Sequence, residues 1–172
     1  MQPPLKSPLK PPLKPLLGTP PNSSLHAAPM LQALDLAQQA ALAGEVPVGA
    51  VIVRGGVVIA AVANQMRAGN DPTAHAELLA IRAACQALGS SVLDDCDLYV
   101  TLEPCPMCAG AIAWAQLRRL YYAAPDPRRG AIDHGCRLFA STDAFHRPEV
   151  IAGLEEAAAR QLLQQFFEGL RD

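Results

Sequence analysis

Two short segments, far apart in the sequence, carry residues that could bind a metal ion and move protons. The first, "TAHAEL" at 73–78, places His75 two residues before Glu77. The second, "LEPCPMCAG" at 102–110, contains a Cys-x-x-Cys pair, Cys105 and Cys108. Imidazole and thiolate groups are ligands that zinc prefers in proteins, and a carboxylate outside the ligand set can transfer protons. Together the segments indicate metal-assisted chemistry on water.

The Cys-x-x-Cys pair alone has three interpretations: a redox-active dithiol, half of a structural zinc site, or a chance spacing. A structural site needs two further ligands, and the sequence contains no second Cys-x-x-Cys and no His-x-x-x-His pair. Adding His75 gives a Cys₂His set that leaves one position for water, as in catalytic zinc sites. A redox dithiol would leave the placement of His75 and Glu77 unexplained. We therefore predict that His75, Cys105 and Cys108 bind one Zn²⁺ and that Glu77 is the catalytic proton-transfer residue.

Both segments are predicted to lie where a helix begins. Apolar residues at helical spacing follow His75 and predict a helix there. Pro104 suits a helix start, so Cys105 is expected in the first helical turn with Cys108 on the same face. The unpaired N–H groups and the positive end of the helix dipole favour thiolates at that position. Two helix N-termini are thus expected to meet at the site.

The remaining pattern alternates helices with β-rich runs. A first helix is predicted from Leu31 to Gly44, and a last helix includes Leu163, Phe166, Phe167 and Leu170. Strands are predicted at 48–53, 57–63, 97–102 and 118–124. The first two form a hairpin at Gly55-Gly56, whereas helical crossovers make their flanking strands parallel. This order predicts an α/β fold with three α/β/α layers and a central mixed sheet of about five strands.

The composition describes one compact domain behind an unusual N-terminus. Of 172 residues, 51% are hydrophobic and 17% are charged, which is enough for a single core. Residues 3–16 repeat a Pro-Leu-Lys unit, so residues 1–29 are predicted to be a disordered or polyproline-like tail. Residues 30–172 are then the catalytic domain, and a further hypothesis is that translation starts at Met30. Removal of residues 1–29 is expected to leave activity intact.

Hydropathy, cysteine content and charge indicate the compartment and the kinds of partner to expect. No apolar run is long enough to span a membrane and no secretory signal core is present, so we expect a cytoplasmic protein that does not enter membranes. Five cysteines in that compartment argue against disulfides, and Cys85, Cys96 and Cys136 are expected to be inert thiols. All three lysines lie in the first 14 residues, which leaves 11 arginines against 16 acids in the remainder. Net charge therefore does not favour nucleic-acid binding, and any such contact must come from local clusters such as Arg128-Arg129.

The His-Ala-Glu and Pro-Cys-Pro-Met-Cys motifs resemble the H-x-E…P-C-x-x-C pattern of the zinc-dependent cytidine and deoxycytidylate deaminase superfamily. That resemblance implies that zinc-activated hydroxide attacks the carbon bearing an exocyclic amine, that Glu77 transfers the proton, and that ammonia leaves. From about Met30 to the C-terminus, the sequence is similar to bacterial tRNA-specific adenosine deaminases. The similar segments are "GEVPVGAVIV", "DPTAHAEL", "LYVTLEPCPMCAGAI", "DPRRGA", "HRPEV" and "LLQQFFEGLR". The activity they imply is hydrolytic deamination of the wobble adenosine of a tRNA anticodon to inosine.

The same resemblance implies further site residues and partners. Asn64 is expected to touch the flipped nucleotide, the backbone N–H of Ala76 to hold the edge of the base, and Asp126 to lie near the ribose. One Zn²⁺ per subunit, a tRNA anticodon stem-loop as partner, and a homodimer whose interface contributes to the RNA-binding cleft are also implied. An open pocket for RNA needs basic and aromatic groups around it. The candidate RNA contacts are Arg128, Arg129, Arg147 and Phe145.

Two features of the sequence depart from that family. Glu168 and Asp172 stand where these enzymes often have basic residues, which weakens the expected contact with the anticodon stem. "PCPMCAGAIAWA" and "YYAA" are also similar to bacterial guanine deaminases, which act on a free base. A free nucleobase deaminase for guanine or cytosine is therefore the alternative prediction. A non-catalytic, zinc-stabilised deaminase-like subunit is a second alternative, against which the presence of Glu77 argues.

Overall fold

The computed structural model describes residues 23–142 and 144–170, so most of the predicted tail lies outside the described residues. Four helices, five strands and a short 3₁₀ helix at Leu138–Ala140 make up this part of the chain. The helices are α1 (Ser23–Leu42), α2 (Ala76–Leu88), α3 (Pro106–Trp114) and α4 (Glu156–Glu168). The strands are β1 (Gly49–Arg54), β2 (Val57–Ala63), β3 (Cys96–Leu102), β4 (Arg119–Ala124) and β5 (Glu149–Ala152). None of the described helices combines the length and the hydropathy needed to cross a bilayer.

The five strands form one mixed sheet in the order β2-β1-β3-β4-β5. Strand β1 is antiparallel to both β2 and β3, whereas β3, β4 and β5 run parallel to one another. This arrangement confirms the mixed sheet predicted from the sequence. Strand β5 was not among the predicted segments, because its four residues, Glu149–Ala152, do not alternate between polar and apolar.

Helices cover both faces of the sheet, which confirms the three-layer α/β/α architecture. Alternating strand residues point to opposite faces and divide the core into two clusters. The first cluster joins α2 and α3 to the sheet through Ala50, Ile52, Leu98, Val100, Leu120 and Tyr122. The second joins α1 and α4 to the opposite face through Val51, Val53, Tyr99, Tyr121 and Ala123. The candidate site lies beside the N-termini of α2 and α3.

The first helix begins earlier than the sequence predicted. The prediction began it at Leu31, behind a disordered segment that ended at residue 29, whereas α1 begins at Ser23 and includes Pro29. A proline inside a helix removes a backbone hydrogen bond and costs about 3 kcal/mol, so the sequence pattern favoured the later start. Met30 is fully buried within α1.

Contacts of His26 stabilise the helical turn that Pro29 weakens. Nδ1 of His26 lies 2.7 Å from the hydroxyl oxygen of Tyr99. The His26 ring also stacks on Tyr121, with 4.9 Å between the ring centroids. Tyr99 and Tyr121 stack on each other at 4.4 Å, and each is only 2% exposed. The first turns of α1 therefore cover two buried tyrosines.

A chain that starts at Met30 is expected to be less stable than one that starts at Ser23, by about 1–3 kcal/mol. The shorter chain leaves the Tyr99 hydroxyl without its partner and uncovers the face of Tyr121. Urea unfolding of both chains measures the difference, and His26→Ala in the longer chain is the matched control for the side chain alone. Equal free energies of unfolding would show that the turns before Met30 contribute nothing.

Candidate active site and metal centre

His75, Cys105 and Cys108 converge where α2 and α3 begin. His75 is the N-cap residue of α2, Cys105 is the N-cap residue of α3, and Cys108 follows in the first turn of α3. Nδ1 of His75 lies 3.8 Å from Sγ of Cys105 and 3.5 Å from Sγ of Cys108. Cys105 lies one position earlier than predicted, immediately before the helix, because Pro106 occupies the first helical position.

A tight turn brings His75 to the start of α2. Oδ1 of Asp71 accepts hydrogen bonds from the backbone N–H of Thr73, at 2.8 Å, and from its hydroxyl, at 2.6 Å. Such a bond from an aspartate to the residue two positions later closes a local turn. The "DPT" segment before the histidine thus fixes the direction in which the chain enters the helix.

The three side chains fit a zinc ion. Their ligand atoms all lie within 4.8 Å of one another. In tetrahedral coordination, zinc bond lengths of about 2.0–2.3 Å separate a nitrogen and a sulfur ligand by roughly 3.5 Å, close to the distances in the structure. Within the described part of the chain the cluster contains three ligands, which leaves one coordination position for water or substrate.

The two thiols share a hydrogen bond that shifts their pKa values in opposite directions. The pKa of Cys105 is lowered, first because the Cys108 thiol hydrogen-bonds to its sulfur and second because His75 does so. The pKa of Cys108 is raised, because it keeps the proton of that shared hydrogen bond and because it is buried. A divalent cation beside both sulfurs would favour the thiolate at each of them.

Glu77 lies in the first turn of α2 beside this cluster without belonging to the three-ligand group. It is only 4% exposed, and burial raises the pKa of its carboxyl group. A carboxyl group with a raised pKa can accept a proton and return it near neutral pH. The position of Glu77 is therefore suited to proton transfer at a reacting group held over the cluster.

A cavity of about 460 Å³ opens over the cluster, and His75, Glu77 and Cys105 lie in its wall. Cavities of about 300–1,000 Å³ hold small ligands in proteins, so its size suits one nucleoside. The rest of its wall is largely apolar, and those residues are Val46, Val48, Met66, Leu102, Pro125, Leu163 and Phe167. Phe167, in α4, is 45% exposed and lines this space.

Four more of the predicted site residues line the same cavity: Asn64, Asp126, Arg128 and Arg129. Asn64 is 4% exposed, whereas the two arginines are exposed at the surface. Oδ1 of Asp126 accepts the backbone N–H groups of Arg128 and Arg129, each at 3.0 Å, which shapes this loop. Ala76 is fully buried as the first residue of α2, where the backbone N–H has no acceptor within the helix.

The other two predicted RNA contacts lie outside this cavity. Phe145 packs on Trp114, with 4.7 Å between the ring centroids. Arg147 donates a hydrogen bond to the backbone carbonyl of Ser141 at 2.9 Å. Both residues were selected as an aromatic and a basic group, and residue type does not determine which way a loop faces.

The structure reveals a buried carboxylate, Glu103, that sequence reasoning did not select. Oε1 of Glu103 accepts the backbone N–H groups of Ile132, Asp133 and His134, at distances of 3.1, 2.9 and 3.0 Å. Oε2 accepts the backbone N–H of Asp126 at 2.9 Å and pairs with Nδ1 of His134 at 2.7 Å. Burial opposes ionisation, but these donors outweigh it and lower the pKa of Glu103. One side chain therefore holds the loop that carries the cavity's arginines.

Glu103→Gln is expected to destabilise the protein by about 2–4 kcal/mol, because an amide NH₂ would face donors that now converge on a carboxylate oxygen. The loop packs closely on this carboxyl group, since a side chain at Gly130 would collide with it. Urea unfolding provides the measurement. The control is Glu149→Gln, since the side chain of Glu149 is 62% exposed in its pair with Arg119 and should change stability by less than about 1 kcal/mol. Equal effects of the two variants would contradict the anchoring role.

The five-stranded mixed sheet, the His-Cys-Cys cluster at two helix N-termini and the buried Glu77 fit the class of zinc-dependent cytidine and deoxycytidylate deaminases that the sequence motifs resemble. Consistent with this, residues 23–124 match the family model described as the cytidine and deoxycytidylate deaminase zinc-binding region. The chain is also 51% identical over 139 residues to the tRNA-specific adenosine deaminase of Agrobacterium fabrum, covering 81% of this chain and 91% of that protein. The chain belongs to the family of tRNA-specific adenosine deaminases.

Two solved structures place the fold among related enzymes. A structure from studies of A-to-I editing by tRNA:A34 deaminases at the wobble position has a TM-score of 0.78 and 50% identity, covering 79% of this chain and 99% of that chain. A guanine deaminase from Bacillus subtilis has a TM-score of 0.57 and 50% identity, covering 58% of this chain and 64% of that chain. The similarity to the guanine deaminase thus spans less of both chains.

Proposed function

We propose that the protein hydrolytically deaminates the wobble adenosine of a tRNA anticodon, which yields inosine and ammonia. The observation that carries this proposal is the cavity in which buried Glu77 adjoins the three-ligand cluster, while exposed Arg128 and Arg129 stand at its wall. A site for a free base alone would have no need of exposed cations, whereas a nucleotide within an RNA loop brings phosphates with it. The similarity to tRNA-specific adenosine deaminases over most of the chain supports the same substrate.

Glu77 carries the proton transfers of the proposed reaction. His75, Cys105 and Cys108 would hold one Zn²⁺ per subunit, and that ion when bound supplies a Lewis acid that makes water acidic enough to lose a proton near neutral pH. Glu77 takes this proton and returns it to the departing amine. In the balanced reaction, the oxygen of water bonds to C6 of adenine, the bond between C6 and the exocyclic nitrogen breaks, and ammonia leaves.

Four residues of the cavity wall, together with Ala76 at the start of α2, bind the nucleotide in this proposal. Asn64 contacts the flipped nucleotide, the backbone N–H of Ala76 holds the edge of the base, and Asp126 lies near the ribose. Arg128 and Arg129 attract the phosphates on either side of the target, because local positive charge can bind RNA even when the body of the protein is acidic. Extrusion of the base costs a few kcal/mol, which these contacts offset.

We further propose that the protein works as a homodimer in the cytoplasm, where tRNA is found. Trp114, at the end of α3, is 75% exposed and packs on Phe145, which is 60% exposed. Exposed aromatic pairs are enriched at protein interfaces. Light scattering should give twice the subunit mass for the native protein and a lower mass for Trp114→Ser. A native monomer at micromolar concentration would contradict this part of the proposal.

The proposed function is tested by offering the zinc-loaded protein several substrates separately. These are an anticodon stem-loop with a wobble adenosine, free guanine, free adenine and free cytosine, with ammonia and inosine as the measured products. Inosine in the stem-loop alone supports the proposal. Ammonia from guanine alone would overturn it in favour of a free-base deaminase, the outcome that the structural similarity to guanine deaminase makes worth testing. No turnover of any substrate by zinc-loaded protein would indicate a non-catalytic subunit.

A further inference from the structure

A second buried carboxylate, Glu45, lies close to the cavity without a role in the proposed reaction. It follows the end of α1 in the "GEVPVGA" segment and is 3% exposed. A buried carboxylate costs free energy unless hydrogen bonds satisfy it. Its neighbour Val46 lines the cavity, so the contacts of Glu45 are made beside the substrate's space.

The two oxygens of Glu45 bind different partners. Oε1 accepts the backbone N–H groups of Arg67, at 2.7 Å, and Ala68, at 2.8 Å. Oε2 accepts a hydrogen bond from Nδ2 of Asn64 at 3.2 Å. Since an ionised carboxylate can only accept, the part of the Asn64 amide that faces it must be the NH₂ group.

The opposite end of that amide is open to the cavity. Asn64 makes no other side-chain hydrogen bond with the residues that the structure describes. Within the same residues, no polar side-chain atom is fully buried without a hydrogen-bond partner. Because Asn64 lines the cavity, its Oδ1 is therefore accessible from the cavity. The side chain offers an acceptor there, not a donor.

We propose that Glu45 is a positioning residue that sets the orientation of the Asn64 amide, so that Oδ1 accepts a hydrogen bond from the bound nucleotide. Through Oε1 it also holds the turn at Arg67 and Ala68, next to Met66 in the cavity wall. This inference rests on the proposed function, because it assigns Asn64 a contact with the substrate. It adds that Asn64 can only accept a hydrogen bond in this contact, because Glu45 occupies the NH₂ group of its amide.

Three variants test whether Glu45 sets the orientation of the Asn64 amide. In Glu45→Gln the remaining oxygen can still accept from Arg67 and Ala68, but the new NH₂ group faces the NH₂ group of Asn64. The asparagine amide must then turn over and present its NH₂ to the cavity. Asn64→Asp places two carboxylates against each other. In the double variant, the amide at position 45 donates to the carboxylate at position 64, whose second oxygen again offers an acceptor to the cavity.

Each single variant is expected to lower kcat/KM for the stem-loop about tenfold or more, because it removes a correctly paired hydrogen bond in a buried site. The double variant is expected to recover most of the wild-type value while zinc content stays constant. If the pair served stability alone, each single variant that is folded and zinc-loaded would keep the wild-type kcat/KM at a temperature well below its unfolding transition. That result would overturn the proposal.

The interaction between residues 45 and 64 is also measured without substrate, as a contribution to the free energy of unfolding. Urea unfolding of the wild type, the two single variants and the double variant forms a double-mutant cycle, and the double variant should be more stable than the sum of single effects predicts. Wild-type turnover of the stem-loop tests the proposed function by itself. If guanine proves to be the substrate, the kinetic cycle is repeated with guanine, so failure of the function and of the inference remain distinct. Additive effects in both cycles would show that Glu45 does not set the amide.

Discussion

Glu77→Gln is expected to retain one zinc ion per subunit and to lower turnover of the stem-loop by about 10²- to 10⁴-fold. The amide is nearly isosteric with the carboxyl group, so the cavity keeps its shape, but an amide cannot accept and return a proton. Glu77 lies outside the three-ligand group, so metal binding should not depend on it. Zinc content by elemental analysis and ammonia release under single-turnover conditions provide the two measurements.

The control for this prediction is Glu149→Gln, an exposed acid on β5 far from the cluster in sequence. It should match the wild type in both zinc content and turnover. Glu77→Ala should lose turnover to a similar extent, since it also lacks the proton acceptor. Loss of zinc from Glu77→Gln would make the glutamate a ligand, and unchanged turnover would move the proton transfer to another group.

Cys105→Ser and Cys108→Ser are each expected to weaken zinc binding by more than about 100-fold, because loss of a direct ligand exceeds the 10- to 100-fold effect of altering its supporting contacts. The metal joins the starts of α2 and α3, so its loss should also lower the melting temperature. Competition with a chromogenic chelator measures affinity, and thermal unfolding with and without chelator measures the linked stability.

Wild-type protein treated with chelator should unfold at the temperature of the two serine variants, whose own unfolding should not respond to chelator. Cys136→Ser is the matched control, because Cys136 is an exposed thiol outside the cluster. It should bind zinc as the wild type does. A serine variant at position 105 or 108 that stays fully loaded and active would contradict the ligand assignment.

The sheet and its covering helices could be predicted because hydrophobic periodicity reports directly on which face of an element is buried. The departures from the prediction have local causes. Strand β5 does not alternate between buried and exposed residues, and it joins the sheet through its pairing with β4, a contact that no local pattern encodes. The start of α1 was hidden because Pro29 disfavours helix locally, while His26 contacts tyrosines more than 70 residues away.

The chemical centre was predictable for a different reason. His75 and Glu77 form one short motif, Cys105 and Cys108 form another, and the chemistry of each set implies the need for the other. Glu45 and Glu103 lie within quoted segments, but their roles were not predictable, because their hydrogen-bond partners are backbone and side-chain groups of loops distant in the sequence. An acid within an otherwise apolar run, as in "GEVPVGA" and "VTLEPC", was the local indication of a buried carboxylate.

If Arg128 and Arg129 contact RNA as proposed, the hydrogen bonds of Glu103 limit how far their loop can adapt to it. The loop with Arg128 and Arg129 is fastened to a carboxylate two residues before Cys105, at the end of the strand that leads into the metal centre. Such a loop is a preorganised wall, not a lid, and it costs little entropy when substrate binds. The conformational change that brings the base into the cavity must then occur in the RNA. Anticodon loops whose wobble base stacks weakly should be edited fastest, so discrimination among tRNAs would reside in the flexibility of the substrate as much as in the sequence it displays.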